Sequence, residues 1–207
     1  LHETMDAIKE RLAGSQTSGA DTGVGLAMCQ WRSGSGPSTA SISIHEDGTV
    51  SVLTGSVDIS GTDTVFAQIT AETLGIPFEN VVIAKRDTDL APFTGPSGGS
   101  RIIYSQGKAV QLAAGDARDK LIALAAEQLD VQPGMLSCAA GRVYVTETPE
   151  RGYTLSQLAR LSLSAASGPI MGTASLSTMP YAPIFSTQAA EVQVDRETGK
   201  VRVLRFI

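Results

Sequence analysis

Histidine and cysteine, the side chains that most often ligate metals or act as nucleophiles, are scarce in this sequence. Two of each occur among 207 residues, at His2, His45, Cys29 and Cys138. They lack the close spacing of zinc or iron–sulfur ligands. A Ser-His-Asp mechanism is disfavoured, because His45 precedes a turn and is expected to point into solvent. The cysteines lie among apolar or small residues, which predicts buried free thiols rather than a disulfide or a catalytic thiol.

An excess of positive charge and long hydrophobic runs are absent as well. The 16 Lys plus Arg against 21 Asp plus Glu give a net charge of -5, and no run of basic residues interleaves with aromatics, which predicts no nucleic-acid partner. Apolar stretches are far shorter than the ~20 residues that span a bilayer, so no membrane span is expected. The sequence starts at Leu1 on a charged, helix-patterned segment unlike a signal peptide, and we expect an internal piece of a longer polypeptide.

The hydrophobic pattern predicts a first half made of one helix, one buried strand and one hairpin. Residues 1–12 carry apolar side chains at helical spacing, and a Gly- and Ser-rich linker follows from Gly14 to Thr22. The apolar run over residues 23–31 predicts a buried strand. Alternating apolar residues on both sides of an Asp-Gly turn predict a β-hairpin over residues 39–54.

The remainder mixes helices with short strands and one long loop. A helical stripe is expected to end at Gly75, a short strand at residues 81–84, an irregular loop at residues 87–101 and a helix at residues 104–129. Further predicted elements are a hairpin-like pair at 135–138 and 142–146, a helix capped by Thr154, and strands at 170–176, 186–195 and 201–206. Hairpins outnumber βαβ crossovers, so the predicted fold class is α+β with a mixed, mostly antiparallel sheet and packed helices.

Two polar, glycine-containing segments each lead directly into a predicted helix: ISGTDT at residues 59–64 and GPSGGSR at residues 95–101. The first turn of a helix exposes unpaired N–H groups and a partial positive charge, which suit an anionic ligand such as a phosphate. The alternative is that Thr62 and Ser100 simply cap their helices. The acidic pair Asp87 and Asp89 favours a local turn over a cation site.

The second segment has the stronger set of ligand-binding groups. Its glycines would let a ligand approach the main chain, its hydroxyls can donate, and its guanidinium suits a phosphate or a pterin carbonyl. These residues are Ser97, Gly98, Gly99, Ser100 and Arg101. Neither segment fits a P-loop or a dinucleotide fingerprint.

The order of these segments resembles the molybdopterin-binding region of the xanthine dehydrogenase, aldehyde oxidase and carbon monoxide dehydrogenase large-subunit family. The resemblance rests on the hairpin SISIHEDGTVSVLTG, the loop VDISGTDT, the helix VFAQITAETLGIP, the stretch DTDLAPFTGPSGGSR, the helix opening YSQGKAVQLAAGDA and the tail AAEVQVDRETGKVRVLR. It covers residues 23–207, which we expect to form one molybdopterin-binding domain truncated at its C-terminus. Residues 1–22 would form a helical arm and linker ahead of it.

The resemblance also implies which residues contact the cofactor. The family's Gly-Gln-Gly loop falls on Ile59, Ser60 and Gly61, so a serine replaces the glutamine that usually hydrogen-bonds the cofactor. The family's second loop, Gly-Gly-Ser-Arg in some members, falls intact on residues 98–101. The implied cofactor-binding residues are Ser60, Gly61, Thr62, Thr64, Gln68, Ser97, Gly98, Gly99, Ser100 and Arg101. No metal ligand and no catalytic residue is expected, because the pterin dithiolene holds the metal and the family's general-base glutamate is missing from this sequence.

The activity implied by the resemblance is oxidative hydroxylation of an aldehyde, purine or N-heteroaromatic compound with water as the oxygen source. Molybdopterin with molybdenum, as the cytosine dinucleotide, would be the cofactor. Iron–sulfur centres and FAD would lie on partner domains or subunits, and the remaining segments of the same large subunit would complete the enzyme in the cytoplasm. Two alternatives stay open: a cofactor-free homologous module for assembly or binding, and an unrelated domain that binds a phosphate ligand.

Overall fold

A computed structural model describes residues 1–13, 19–84, 87–166 and 168–207 of the chain. The helices are α1 (His2–Leu12), α2 (Thr62–Leu74), α3 (Gly107–Leu129) and α4 (Leu155–Ser162). The strands are β1 (Thr22–Arg32), β2 (Ser38–Ile44), β3 (Val50–Thr54), β4 (Val81–Ile83), β5 (Leu136–Ala139), β6 (Arg142–Val145), β7 (Thr148–Thr154), β8 (Met171–Leu176), β9 (Pro183–Val194) and β10 (Val201–Phe206). None of the helices in the described part of the chain is long and apolar enough to cross a membrane.

The described residues group into two compact units, one formed by residues 1–33 with 181–207 and the other by residues 34–180. Most of the predicted linker, residues 14–18, lies outside the described residues. The domain boundary expected at residue 23 stays a prediction.

The first unit is a three-stranded antiparallel sheet in the order β1-β9-β10 with α1 beside it. A hydrogen bond joins the hydroxyls of Thr4 and Thr187, and Arg205 donates to the carbonyl of Arg11. Strand β1 is where predicted, but the prediction that it is buried is wrong, because its side chains are exposed along almost its whole length. In this unit, one helix covers only part of one face of the sheet. The apolar residues of β1 are therefore not buried within the unit.

The two cysteines were also predicted to be buried. Both are free, as predicted. Cys29 on β1 is exposed and forms a hydrogen bond with the hydroxyl of Ser186, so the prediction that it is buried is wrong. Cys138 is half-buried, its thiol donates to the carbonyl of Leu74, and burial raises the pKa of that thiol.

The second unit is built on a four-stranded sheet in the order β4-β3-β2-β8. The β2–β3 hairpin forms as predicted, β8 pairs antiparallel with β2, and β4 pairs parallel with β3. Every second residue of β2 and β3 is buried against α2 and α3, together with Phe66 and Leu121. Burying side chains of this size contributes about 1.5–3 kcal/mol each. The predicted α+β class with a mixed, mostly antiparallel sheet is confirmed.

Helix α3 lies tightly against β8. A Cβ atom at Gly172 would come within 2.0 Å of the carbonyl oxygen of Ala113, so only glycine allows this approach. The carboxylate of Asp116 accepts hydrogen bonds from Lys120 and from the main-chain N–H of Thr173, and these bonds lower the pKa of Asp116. A single polar side chain on the helix thus fixes the register of the neighbouring strand.

The smaller sheet of this unit, β5-β6-β7, leads into α4. Thr154 caps the start of α4 as predicted, and Gln157 completes a capping box with it. Strand β7 was not predicted, because its sequence TPERGYT lacks an apolar alternation. A π-helical turn at Ile102–Gln106 leads directly into α3, and α3 ends at residue 129, ahead of the predicted Pro-Gly stop.

Candidate functional site

The two glycine-containing segments lie at the same end of the four-stranded sheet. Strand β2 begins and strand β3 ends there, since Ala40 pairs with Thr54. Residues 55–61, here named the first loop, connect Thr54 to the start of α2. The side chain of Gln106, at the start of α3, donates to the carbonyl of Thr39. The N-terminal ends of α2 and α3 therefore lie at one end of the unit, as a shared pocket would require.

The first loop ends in two residues with left-handed backbone geometry, Ser60 with a φ of 58° and Gly61 with a φ of 79°. The carboxylate of Asp58 accepts hydrogen bonds from the N–H of Asp63 and from the hydroxyl of Thr62. The Thr62 hydroxyl in turn accepts from the N–H of Ile59. One amide at the head of α2 is thus already satisfied by a carboxylate of the loop, which adds negative charge to this helix end.

The second loop, residues 87–101, repeats this geometry before the π-helical turn. Gly99 has a φ of 59° and Ser100 a φ of 57°. Gly34 donates its N–H to the carbonyl of Gly99. A serine in this region of backbone space is uncommon, and such residues concentrate at functional sites. Both loops place one serine and one glycine in it, directly ahead of a helix.

Arg101 is buried, with 8% of its surface exposed. Its Nη1 donates to the carbonyl of Pro96 and its Nη2 to the carbonyl of Pro37. The sequence predicted that this guanidinium would donate hydrogen bonds to a bound anion. The structure places two of the guanidinium donors on main-chain oxygens, at Pro96 within the loop and at Pro37 just before β2.

Gln106 is a residue that sequence reasoning missed. Its side chain is completely buried, donates to the carbonyl of Thr39 and accepts from the hydroxyl of Thr94. No local pattern marks it, because its partners lie 67 and 12 positions away in the chain. A buried glutamine with both ends satisfied fixes the elements that it joins.

Several predicted binding residues present accessible groups at this end of the unit. The side chains of Ser60, Thr64, Gln68, Ser97 and Ser100 are exposed, whereas Thr62 is buried and used within the first loop. A Cβ atom placed on Gly61 or on Gly98 would meet no atom within 4 Å. The main chain of both loops can therefore be approached closely by a ligand.

A cavity of about 400 Å³ borders the first loop and is lined partly by the carboxylates of Asp58, Asp63 and Asp87. Asp87 forms the predicted local turn, since its carboxylate accepts from the N–H of Asp89. Within the described ranges, no group of three or more His, Cys, Asp or Glu residues could hold a metal ion. The acidic cavity does not suit an anion, so anionic groups would have to bind on the side of Ser60 and Ser97 to Ser100.

These residues fit a pterin cofactor that carries its own metal. Such a cofactor needs hydroxyl and main-chain donors for its phosphate and ring, and it needs no thiolate or imidazole from the protein. The second loop offers these groups on an open main chain. The first loop fits less well, because Asp58 occupies part of the helix end.

Comparisons with known proteins agree with this fit. Residues 2–207 match the model of the molybdopterin cofactor-binding domain. The chain is 32% identical over 197 residues to the xanthine dehydrogenase molybdenum-binding subunit of Escherichia coli O157:H7, covering 89% of the chain and 26% of that relative.

Two solved structures have the same fold over 99% of the chain. Reconstituted CO dehydrogenase from Oligotropha carboxidovorans has a TM-score of 0.77 at 26% identity, and quinoline 2-oxidoreductase from Pseudomonas putida 86 has a TM-score of 0.74 at 25% identity. The chain covers 27% and 29% of those two proteins, so it spans about a quarter of the length of its relatives. The family predicted from the sequence is confirmed, and the chain belongs to the molybdopterin cofactor-binding domain family.

Proposed function

We propose that this chain forms part of the cofactor cradle in the large subunit of a molybdenum hydroxylase. The observation that carries the proposal is the presence of two left-handed turns, at Ser60–Gly61 and Gly99–Ser100, ahead of helices that start at the same end of one unit. Main-chain N–H groups and hydroxyls there would bind the phosphate and pterin groups of the cofactor. The family match and the relatives named above support this assignment.

The whole enzyme would oxidatively hydroxylate an aldehyde, a purine or an N-heteroaromatic compound, with water as the oxygen source. The bound cofactor supplies the two-electron redox chemistry. This chain binds and orients it through Ser60, Gly61, Thr64, Gln68 and residues 97–100, and it contributes no proton-transfer residue. The remaining segments of the large subunit would supply that residue and most contacts to the substrate.

Several finer features of the enzyme belong to the same proposal. The cofactor would be molybdopterin cytosine dinucleotide, and electrons would leave through iron–sulfur centres to FAD on partner domains or subunits. The location would be the cytoplasm. These expectations come from the family resemblance.

A pair of glycine variants tests the proposal. Gly98 and Gly134 both have room for a side chain and neither has a positive φ, but only Gly98 lies on the proposed binding surface. The full large subunit is produced with the cofactor-assembly machinery, and molybdenum and released pterin are measured per chain. We expect Gly98→Val to lower cofactor content about tenfold, because the added side chain occupies the space in which the ligand would approach the main chain. Gly134→Val should leave it unchanged, and equal content in the two variants would refute the assignment.

A cofactor-free homologue that serves assembly or binding is the second candidate. Two observations favour it: the carboxylate of Asp58 at the head of α2, and the short side chain of Ser60 where the family has glutamine. Under this alternative, the wild-type subunit would contain neither molybdenum nor pterin after co-production with the assembly machinery. About one molybdenum per chain would reject it.

A further inference from the structure

Two buried side chains at the start of α3 connect the second loop to the beginning of β2 in the same way. Gln106 donates to the carbonyl of Thr39 and accepts from the hydroxyl of Thr94. Arg101 donates to the carbonyl of Pro37 and to the carbonyl of Pro96. Each side chain therefore bridges one position at the start of the strand to one position in the loop.

The π-helical turn explains why both side chains reach the same strand. Ile102–Gln106 forms one turn with the wider π spacing, and Arg101 immediately precedes it. Residues one π turn apart lie on the same side of the helix. Along a strand, the carbonyls of residues 37 and 39 point to the same edge, so the two bridges run side by side.

Glycines form the walls of the space that holds the Arg101 side chain. A Cβ atom would come within 2.8 Å of Arg101 Cβ at Gly34, within 2.7 Å of its Nη2 at Gly36 and within 2.0 Å of its Nη1 at Gly95. Side chains at Gly36 and Gly95 would fill the space of the guanidinium, and one at Gly34 would meet the Cβ atom of Arg101. This close packing indicates a site shaped around a planar guanidinium, which an ammonium group on a lysine stem would not fill.

Among the described residues, only main-chain oxygens balance the buried charge of Arg101. In the described part of the chain it forms no ion pair with a carboxylate, and its Nε has no hydrogen-bond partner. Its guanidinium lies against Gly36 and Gly95, so this positive charge raises the potential around the second loop, where an anion would bind.

We propose that Arg101 and Gln106 are positioning residues. They hold the segment from Thr94 to Ser100 in the geometry that presents its amides and hydroxyls outward, and Arg101 does so without touching the ligand. The part of this inference that concerns cofactor uptake rests on the proposed function. The part that concerns the loop does not.

Hydrogen exchange of the full large subunit, produced without cofactor, tests the bridges directly. We expect Arg101→Ala to speed exchange about tenfold at the hydrogen-bonded amides of Gly34 and of residue 101, which bond to the loop carbonyls of Gly99 and Gly98, while the centre of α3 stays protected. Arg118→Ala, at an exposed arginine of the same helix, is the matched control and should change neither region. Where Arg101→Ala yields no folded protein, Arg101→Lys carries the same comparison, because it keeps the charge and the aliphatic stem.

Chemical rescue separates a specific bridge from a general loss of stability. Ethylguanidinium fits the vacated space in Arg101→Ala and should restore loop protection and, in subunit produced with the assembly machinery, molybdenum content. Ethylammonium at the same concentration should restore neither. If Arg101 only stabilised the fold in general, both cations would restore loop protection to the same extent, or neither would restore it.

Three outcomes would overturn the inference. Unchanged loop exchange with lost molybdenum in Arg101→Ala would make Arg101 a direct ligand. Wild-type exchange and molybdenum content in Arg101→Lys would show that charge alone matters. Equal rescue by ethylammonium would remove the requirement for the planar donor. A wild-type subunit without molybdenum would instead refute the proposed function, while the exchange comparison would still decide whether the bridges exist.

Discussion

The first loop is held by hydrogen bonds between residues close in sequence, whereas the second is held by hydrogen bonds to carbonyls far away in the sequence. Thr62 reaches the carbonyl of Val57 and the carboxylate of Asp58, five and four positions back. Arg101 and Gln106 reach carbonyls that lie 64 and 67 positions earlier. Both loops nevertheless contain one serine and one glycine with left-handed geometry near their ends, at Ser60–Gly61 and at Gly99–Ser100.

The difference shows where each loop gets its stability. A local cap replaces one hydrogen bond to water with one hydrogen bond within the protein. Such a cap contributes about 1 kcal/mol to the free energy of unfolding. The bridges of the second loop are buried between β2 and α3, so losing one also leaves its partners buried without hydrogen bonds. We therefore expect the second loop to tolerate substitution less well than the first.

The largest effect is expected for Gln106→Leu. The leucine has a similar volume but leaves the carbonyl of Thr39 and the hydroxyl of Thr94 without this partner, which should cost about 3 kcal/mol of unfolding free energy. Urea-induced unfolding of the chain measures the loss. Gln111→Leu, on the exposed side of the same helix, should change it by less than about 0.5 kcal/mol. A similar loss in both variants would show that the buried bridge is unimportant.

Gly95→Ala should have the next largest effect, about 2 kcal/mol, because the added methyl group overlaps the Arg101 guanidinium. Gly98→Ala, in the same loop, adds a methyl group into open space and is the control. Thermal unfolding of both variants provides the comparison. If Gly98→Ala were the more destabilising change, the description of the arginine site would be wrong.

Asp58→Ala examines the first loop and should cost about 1 kcal/mol, the usual value of a helix N-terminal cap. Asp58→Asn keeps an acceptor oxygen and should lose only a few tenths of that value. Urea unfolding distinguishes the two variants. A loss as large as that of Gln106→Leu would abolish the difference between the loops.

The same distinction between near and distant partners decides what the sequence could predict. The β2–β3 hairpin, helix α2 and the cap of α4 by Thr154 depend on neighbouring residues, and all three were predicted, with small errors at the ends of the elements. The two bridges depend on partners that only the complete fold brings together. Arg101 was therefore predicted as a ligand, and Gln106 was not noticed.

Burial failed as a prediction for a related reason. Strand β1 has the composition of a core strand, but burial depends on what covers a sheet, and one helix covers part of one face in that unit. Cys29 is exposed with it. The positions of glycine-containing turns before helices were predictable, whereas the residues that hold them in place were not.

The smallest effects are expected for Ser60→Gly and Ser100→Gly, which concern the geometry that the two loops share. Glycine relieves the steric cost of the left-handed conformation, about 1 kcal/mol, but it loses more backbone entropy on folding, about 0.5–1 kcal/mol. The two terms nearly cancel, so the unfolding free energy should change by less than about 0.5 kcal/mol in each variant. Paired urea titrations of the two variants and the wild type measure this. Since backbone strain is local, both loops should respond equally even though they are held by different contacts. A gain above about 1 kcal/mol at Ser100 alone would mean that the distant bridges force the second loop into strain, whereas the first loop adopts its turn without strain.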